Sequence, residues 1–149
     1  MTTLNLPAGA GLRHTFLGST VTVKAAGSDT GGALTLIEQE CPPGFATPWH
    51  RHRDDDEAFY ILSGGMRVFC GEEAWQAGPG AFVLLPRDRP HAFAVAGAVS
   101  LRLLQFTWPA GFEHFAADVA GLPAGPPDPA RLADLAADRG YQIVGPPPA

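Results

Sequence analysis

Short segments in which apolar and polar residues alternate fill most of the chain before residue 109. The clearest are Thr20–Ala26, with its Thr-Val-Thr-Val core, and Ala33–Cys41. Neighbouring side chains of a β-strand point to opposite faces, so this pattern is typical of strands with one buried face. The pattern predicts strands over residues 12–17, 20–26, 33–41, 47–53, 57–62, 66–70, 73–76, 81–85, 91–95 and 99–108.

Glycine- and proline-containing segments separate these strands at a spacing typical of all-β sandwiches and barrels. The segment Gly27–Gly32 is predicted to be one such turn, and it lacks the Lys-Ser/Thr ending of a phosphate loop. The first ten residues are predicted to be an edge strand or a loose arm. We therefore expect an all-β domain in which the strands cover residues 12–108.

The segment after residue 108 has a helical pattern instead. Phe112, Phe115 and Val119 fall on one face of a short helix over residues 111–120. We expect this face to pack in the core, although Phe112 and Phe115 would also be placed to roof a pocket.

A second helix is predicted between Asp128 and Gly140. Aspartate is a favoured N-cap, the following Pro129 suits the first helical position, and glycine commonly ends a helix. Residues 141–144 are predicted to add an edge strand. The tail, residues 109–149, thus consists of short elements with no predicted catalytic residue.

The length of the chain, 149 residues, suits one domain with a substantial core. Its composition, with 46% hydrophobic and 17% charged residues, is that of a globular protein. Eighteen glycines and 15 prolines agree with many short strands joined by tight turns. We expect a single domain, residues 1–149.

The charge pattern argues against nucleic acid and membrane partners. The net charge is −5, and the arginine pairs Arg51/Arg53 and Arg87/Arg89 are interleaved with acids. No run of about 18 apolar residues is present, and no N-terminal segment resembles a signal peptide. Cys41 and Cys70 form no Cys-x-x-Cys motif. We expect a cytoplasmic protein with reduced thiols that binds a small molecule.

Three histidines and a glutamate form the candidate chemical site. His50 and His52 are two apart in a predicted strand, so their imidazoles point to the same face. Glu57 opens the next strand, and His91 lies in a later strand. Imidazole and carboxylate groups are good ligands for divalent transition metals. His50 and His52 can therefore converge on one metal ion, and Glu57 could add a carboxylate from the adjacent strand.

The residues around this site resemble the two signature motifs of the cupin family. The first motif is matched by Gly44, His50, His52, Glu57 and Gly64. The second is matched by Gly80, Pro86 and His91. The resemblance implies a jelly-roll barrel, or double-stranded β-helix, in which one metal is bound by His50, His52, Glu57 and His91. The sequence does not choose among iron, manganese, nickel, cobalt, copper and zinc.

Two positions depart from the family pattern. Asp88 stands where the family usually has glycine, and Val95 stands where it usually has asparagine. Aspartate is among the residues that tolerate the left-handed backbone conformation of a turn, so the turn should survive. Neither departure removes a predicted metal ligand.

The resemblance also implies a pocket beside the metal, with substrate-binding walls that include Trp49, Phe59, Met66 and Phe93. Small cupins with this ligand set resemble quercetin dioxygenases. A dioxygenase acting on an aromatic or enolisable molecule is the leading hypothesis, with Glu57 as a ligand that also accepts the substrate's proton. The alternatives are a non-redox isomerase, cyclase or lyase, and a small-ligand-binding protein without turnover.

Two further features leave alternatives open. Asp54-Asp55-Asp56 is interpreted as a solvated loop, the alternative being that one carboxylate holds an imidazole N–H. Residues 99–108 are apolar on both faces, which would suit either a homodimer interface or a surface beneath the C-terminal helices.

His14 and His114 have no partner at ligand spacing and are expected to be surface or packing residues.

Overall fold

A computed structural model describes residues 1–149 as two antiparallel sheets with three helices. The strands are β1 (Leu12–Phe16), β2 (Ser19–Ala25), β3 (Thr35–Cys41), β4 (Trp49–His52), β5 (Asp56–Ser63), β6 (Met66–Cys70), β7 (Glu73–Ala77), β8 (Phe82–Leu85), β9 (His91–Val95), β10 (Leu101–Trp108) and β11 (Tyr141–Gly145). The helices are α1 (Gly27–Thr30), α2 (Phe112–Ala120) and α3 (Pro129–Asp138). None of them is long and apolar enough to cross a bilayer.

The two sheets pack face to face around one core. The first has the strand order β1-β2-β3-β10-β5-β8 and the second has the order β11-β4-β9-β6-β7. Strands that are distant along the chain pair in space. For example, β10 lies between β3 and β5. This is the predicted all-β jelly-roll barrel with short C-terminal helices, and the prediction is confirmed.

Alternation of side chains explains the core between the sheets. Ile61 on β5, Leu103 on β10 and Val68 on β6 all point inward and are fully buried. Their neighbours along each strand point outward, as the period of two requires. Cys41 and Cys70 belong to this core as free thiols.

A second cluster joins the tail to one end of the barrel. Helix α2 packs on β1 and β3, and α3 packs on β11. Phe112 and Phe115 of α2 are buried against Phe16, with ring centroids 5.7 and 5.6 Å away. The predicted edge strand exists as β11, which pairs with β4 and so brings the end of the chain beside His50 and His52.

Several boundaries differ from the sequence prediction. The segment Gly27–Thr30 is a single helical turn rather than a plain turn, because the carboxylate of Asp29 accepts a hydrogen bond from the Ala26 N–H. The first ten residues form no strand. Asp88 adopts φ 64°, the left-handed conformation that the sequence predicted aspartate would tolerate there.

The outer face of the six-stranded sheet stays apolar and accessible. Tyr60 and Leu62 of β5 lie beside Phe82 and Leu84 of β8, and all four side chains are exposed. Helix α2 packs toward the other edge of this sheet, on β1 and β3, and α3 packs on β11 of the second sheet. The homodimer stays a prediction.

Shortening a core side chain should destabilise the barrel. Ile61→Ala removes a fully buried side chain and should lower the free energy of unfolding by about 2–5 kcal/mol. The neighbouring Leu62→Ala, on the exposed face, should cost about 1 kcal/mol or less. Denaturant unfolding followed by circular dichroism measures both, and equal losses would contradict the inward and outward assignment.

Candidate metal centre

The structure brings together all four predicted ligands. His50 and His52 come from β4, Glu57 from β5 and His91 from β9. One ligand atom from each residue lies within 4.8 Å of the others, and His50 pairs directly with His91 across the sheet. Three of the four are buried and His50 is half-buried. Such a cluster can hold one metal ion.

The shortest contacts in the cluster involve the Glu57 carboxylate. Its Oε2 lies 2.9 Å from Nε2 of His91 and 3.4 Å from Nε2 of His52. The carboxylate thus faces the same centre as the imidazole nitrogens. Because Glu57 begins an inward-facing set on β5, strand alternation alone points it at this centre.

Hydrogen bonds at the far side of each ring set the imidazole tautomers. The Nδ1 atoms of His50 and His91 lie 2.8 and 3.0 Å from the carbonyl oxygens of Pro48 and Arg89. Nδ1 of His52 lies 2.6 Å from the Asp55 carboxylate. These acceptors require a proton on each Nδ1, so each Nε2 presents its lone pair to the common centre.

This arrangement fits a cation. Three Nε2 lone pairs and a carboxylate repel one another when they face a buried point, unless a proton or a metal ion lies between them. Imidazole nitrogens with one carboxylate oxygen are the donors that divalent iron, manganese, cobalt, nickel, copper and zinc accept. The donor set does not select one of these metals.

The titration of the metal-free site follows the same logic. Burial lowers the pKa of His50 to about 3, and the neighbouring imidazoles act in the same direction. Burial opposes ionisation of Glu57, yet the charge of His52 and the neighbouring His91, with Nε2 2.9 Å away, lower the pKa of Glu57 to about 2. Burial likewise opposes the charge on His52, but Glu57 and Asp55 raise its pKa. In the metal-free site a proton on His52, facing the Glu57 carboxylate, is therefore favoured.

Asp55 and Tyr141 hold His52 in place. Oδ1 of Asp55 accepts from His52, and its Oδ2 accepts from the Tyr141 hydroxyl at 2.9 Å. Asp55 is buried, so the interpretation of the acidic run as a solvated loop is wrong at this position. The interpretation as a solvated loop is correct for Asp54, which is exposed. The Asp56 carboxylate forms an ion pair with Arg87 at 2.9 Å. Burial raises the pKa of Tyr141, so its hydroxyl stays protonated and donates.

Beside the cluster lies an inner chamber with a volume of about 50 Å³. The aromatic walls include Phe59 and Phe93, as predicted, and Phe112 and Phe115 of α2 also line it. These two helix residues belong to the core cluster at the same time, so the packing and roof interpretations are both correct. The chamber is lined mostly by apolar side chains, which exclude bulk water.

Trp49 and Met66 do not line the chamber, which corrects the prediction for these two residues. Trp49 alternates with His50 along β4, so it points to the other face and packs on Phe69. Met66 pairs with Val95, whereas His91 pairs with Cys70. Four residues of strand, roughly 13 Å, therefore separate Met66 from the ligand end of β9.

Gln105 is a chamber residue that the sequence analysis missed. It points inward from β10, opposite Phe59, and its side-chain Nε2 is buried without a hydrogen-bond partner. Buried donors are normally satisfied, so an unpaired one inside a chamber is a candidate contact for a bound molecule. Its position on an alternating strand was visible in the sequence, but its missing partner was not.

These features define a class: a small antiparallel barrel with an internal cluster of three imidazoles and a carboxylate. Residues 37–107 match the family model described as "Cupin domain", and this part of the chain is a cupin domain. The match includes all four clustered residues and most of the strands that form the two sheets.

Known proteins support the family assignment over part of the chain. A quercetin 2,3-dioxygenase of Bacillus subtilis is 30% identical over 71 residues, which cover 48% of this chain and 21% of that protein. An uncharacterized protein of Methanocaldococcus jannaschii is 29% identical over 79 residues, or 53% of this chain and 63% of that protein. The chain thus spans less than two thirds of either relative.

A solved structure supports the fold. The polyketide cyclase RemF from Streptomyces resistomycificus superposes with a TM-score of 0.63 over 72% of this chain and 80% of that chain. The sequences are 21% identical, so the likeness concerns the barrel architecture alone.

Removing the Tyr141 hydroxyl should destabilise the protein. Tyr141→Phe leaves one oxygen of the buried Asp55 carboxylate without its donor and should cost about 1–3 kcal/mol of unfolding free energy. Tyr60→Phe, at an exposed position, is the matched control and should be close to neutral. Denaturant unfolding measures both. A loss no larger in Tyr141→Phe than in the control would show that Asp55 does not depend on this hydrogen bond.

Proposed function

We propose that this cupin is a metal-dependent oxidoreductase, a dioxygenase that acts on a small aromatic or enolisable molecule. One divalent transition metal would be held by His50, His52, Glu57 and His91. The observation that carries the proposal is the convergence of three Nε2 lone pairs and a carboxylate beside an apolar chamber. A closed structural site would need no chamber at its side.

The metal would supply Lewis acidity and, if redox-active, a means of bringing oxygen and an enolate together. The four residues that would hold the metal lie beside the chamber, so another molecule could reach the ion, as in catalytic rather than structural sites. The chain's own residues then determine what binds. Phe59 and Phe93 favour a planar apolar molecule and keep water from the reacting atoms.

Glu57 and Gln105 are suited to handle the polar end of such a molecule. Glu57 lines the chamber, so its carboxylate could accept the proton of an enol or phenol bound there. The unpaired Nε2 of Gln105 can donate a hydrogen bond to a substrate oxygen in the same chamber. Together they would orient the substrate oxygen and remove its proton.

The sequence relationship adds support to the dioxygenase. The matched segment of the Bacillus subtilis quercetin 2,3-dioxygenase is about half the length of this chain. In this chain the cupin match runs over residues 37–107, which carry the whole ligand set. The family match therefore covers every residue that would hold the metal.

A non-redox isomerase, cyclase or lyase is the second candidate. It is favoured by the pairing of one carboxylate base with one amide donor, Glu57 and Gln105, because proton transfer next to a polarised carbonyl needs no oxygen. The donor set accepts zinc as readily as iron. Binding without turnover is the remaining interpretation of the same chamber.

Metal content tests the ligand set. His91→Ala removes one imidazole from the cluster, and we expect it to lose most of the roughly one metal ion per chain that the unaltered protein should hold. The control is His114→Ala, an exposed histidine of α2 that should keep full occupancy. Inductively coupled plasma mass spectrometry after dialysis measures both. Equal occupancy in the two variants would contradict the assignment.

Oxygen consumption separates the candidate functions. The protein loaded separately with iron, manganese, nickel, cobalt, copper or zinc should consume oxygen with a flavonol, a catechol or a β-diketone in at least one redox-active form. Glu57→Gln should reduce kcat about 100-fold or more, because a general base contributes on that order. An oxygen electrode measures the rates. Fully loaded protein that consumes no oxygen with any of the three would exclude the dioxygenase for these substrates and favour non-redox chemistry.

A further inference from the structure

A second, larger cavity lies next to the inner chamber. This groove has a volume of about 970 Å³ and runs between the barrel rim and the C-terminal segment. Its walls come from residues 15–18 and 46–48 on one side and from residues 119–132 and 143–147 on the other. The size is that of a site for a whole organic molecule.

The groove and the inner chamber share part of their walls. Leu17, Pro48, Leu132 and Ile143 line both spaces. The chamber holds only about 50 Å³, far below the roughly 300–1,000 Å³ of typical small-molecule sites. Only one end of an aromatic molecule therefore fits in the chamber, and the rest of the molecule would lie in the adjoining groove.

The lining of the groove is uncharged throughout. Among its 19 residues there is no Asp, Glu, Lys, Arg or His, although the chain as a whole carries 25 acidic and basic side chains, 15 Asp or Glu and 10 Lys or Arg. A buried carboxylate or phosphate would find no cation here, and desolvation without a partner is costly. The lining therefore selects against anionic ligands such as sugar phosphates and small acids.

Proline makes much of this surface rigid and poor in donors. Six of the lining residues are prolines of the C-terminal segment: Pro123, Pro126, Pro127, Pro129, Pro146 and Pro147. Proline has a fixed φ and no N–H, so these walls lose little conformational freedom on binding and offer few hydrogen bonds. Both properties favour an apolar occupant.

We propose that the groove binds an uncharged, largely apolar organic molecule whose oxygen-bearing end enters the inner chamber. The second half of this statement rests on the proposed function, whereas the first half rests on the groove alone. Entry requires the shared side chains to turn aside. Leu17 and Ile143 are only half-buried, so alternative rotamers are open to them.

Two fluorescent probes that differ by one charge test the groove. N-phenyl-1-naphthylamine is neutral, and 8-anilino-1-naphthalenesulfonate is its anionic relative. We expect the metal-stripped and the metal-loaded protein to bind the neutral probe at least tenfold more tightly, since the groove offers the sulfonate no cation. Equal affinity for the two probes would overturn the proposal.

Charged variants locate the binding. Thr15→Glu and Ala124→Glu place a carboxylate on opposite walls at exposed positions, and together they should weaken binding of the neutral probe at least tenfold. Ala124→Gln is the control for size. Ala117→Glu, exposed on α2 outside the groove, is the control for charge. Binding that survives the double variant, or falls equally in Ala117→Glu, would place the probe elsewhere.

A displacement experiment tests the link to the chamber. 3-Hydroxyflavone carries a hydroxyl next to its ketone, whereas flavone carries the ketone alone. 3-Hydroxyflavone should displace the neutral probe more strongly from metal-loaded than from metal-stripped protein. Flavone should show no such difference. If 3-hydroxyflavone displaces the probe equally from metal-loaded and metal-stripped protein, the proposal that the oxygen-bearing end enters the chamber is wrong. If the protein takes up no metal but binds the neutral probe as expected, the proposed function is wrong and the proposal for the groove still stands.

Discussion

The structure depends on the convergence of four ligand atoms on one buried point. His50, His52 and His91 each donate a hydrogen bond from Nδ1–H to an oxygen, so the Nε2 atom of each ring faces the same centre as Glu57. Such a centre is electrostatically incomplete, and Glu57 and Asp55 raise the pKa of His52, so a proton on His52 is favoured when no metal is bound. A bound metal would replace that proton, so metal binding and the stability of the barrel are linked.

The tail of the chain is part of the site rather than an appendage. Strand β11 pairs with β4, which places Tyr141 beside His52 and within reach of Asp55. Helix α2 supplies Phe112 and Phe115 to the chamber. The family match ends at residue 107, so the barrel supplies the ligands, while the tail supplies the roof and the support of one imidazole.

Local patterns predicted what depends on local geometry. Strand alternation placed His50 and His52 on one face, and the motifs shared with the cupin family completed the ligand set. The same alternation, applied to Trp49, would have excluded it from the chamber. The prediction that Met66 lines the pocket was wrong because the register of β6 on β9 sets its distance from the site, and no local pattern encodes that register. Asp55 and Tyr141 meet across 86 residues of sequence. Contacts of that kind depend on the pairing of β4 with β11, which appears only in the folded chain.

The two cavities divide the recognition of a ligand between different kinds of chemistry. Polar and ionisable groups are concentrated at the inner end, where Glu57, Gln105 and the imidazoles face a space of a few water molecules. The outer groove has no charged group and much proline, so it can contribute hydrophobic area at little entropic cost. Binding energy gained along the groove would then be available to place one oxygen-bearing end at the ligands. Because the chamber is too small for the whole ligand, the groove and not the ligand set would determine which molecules react.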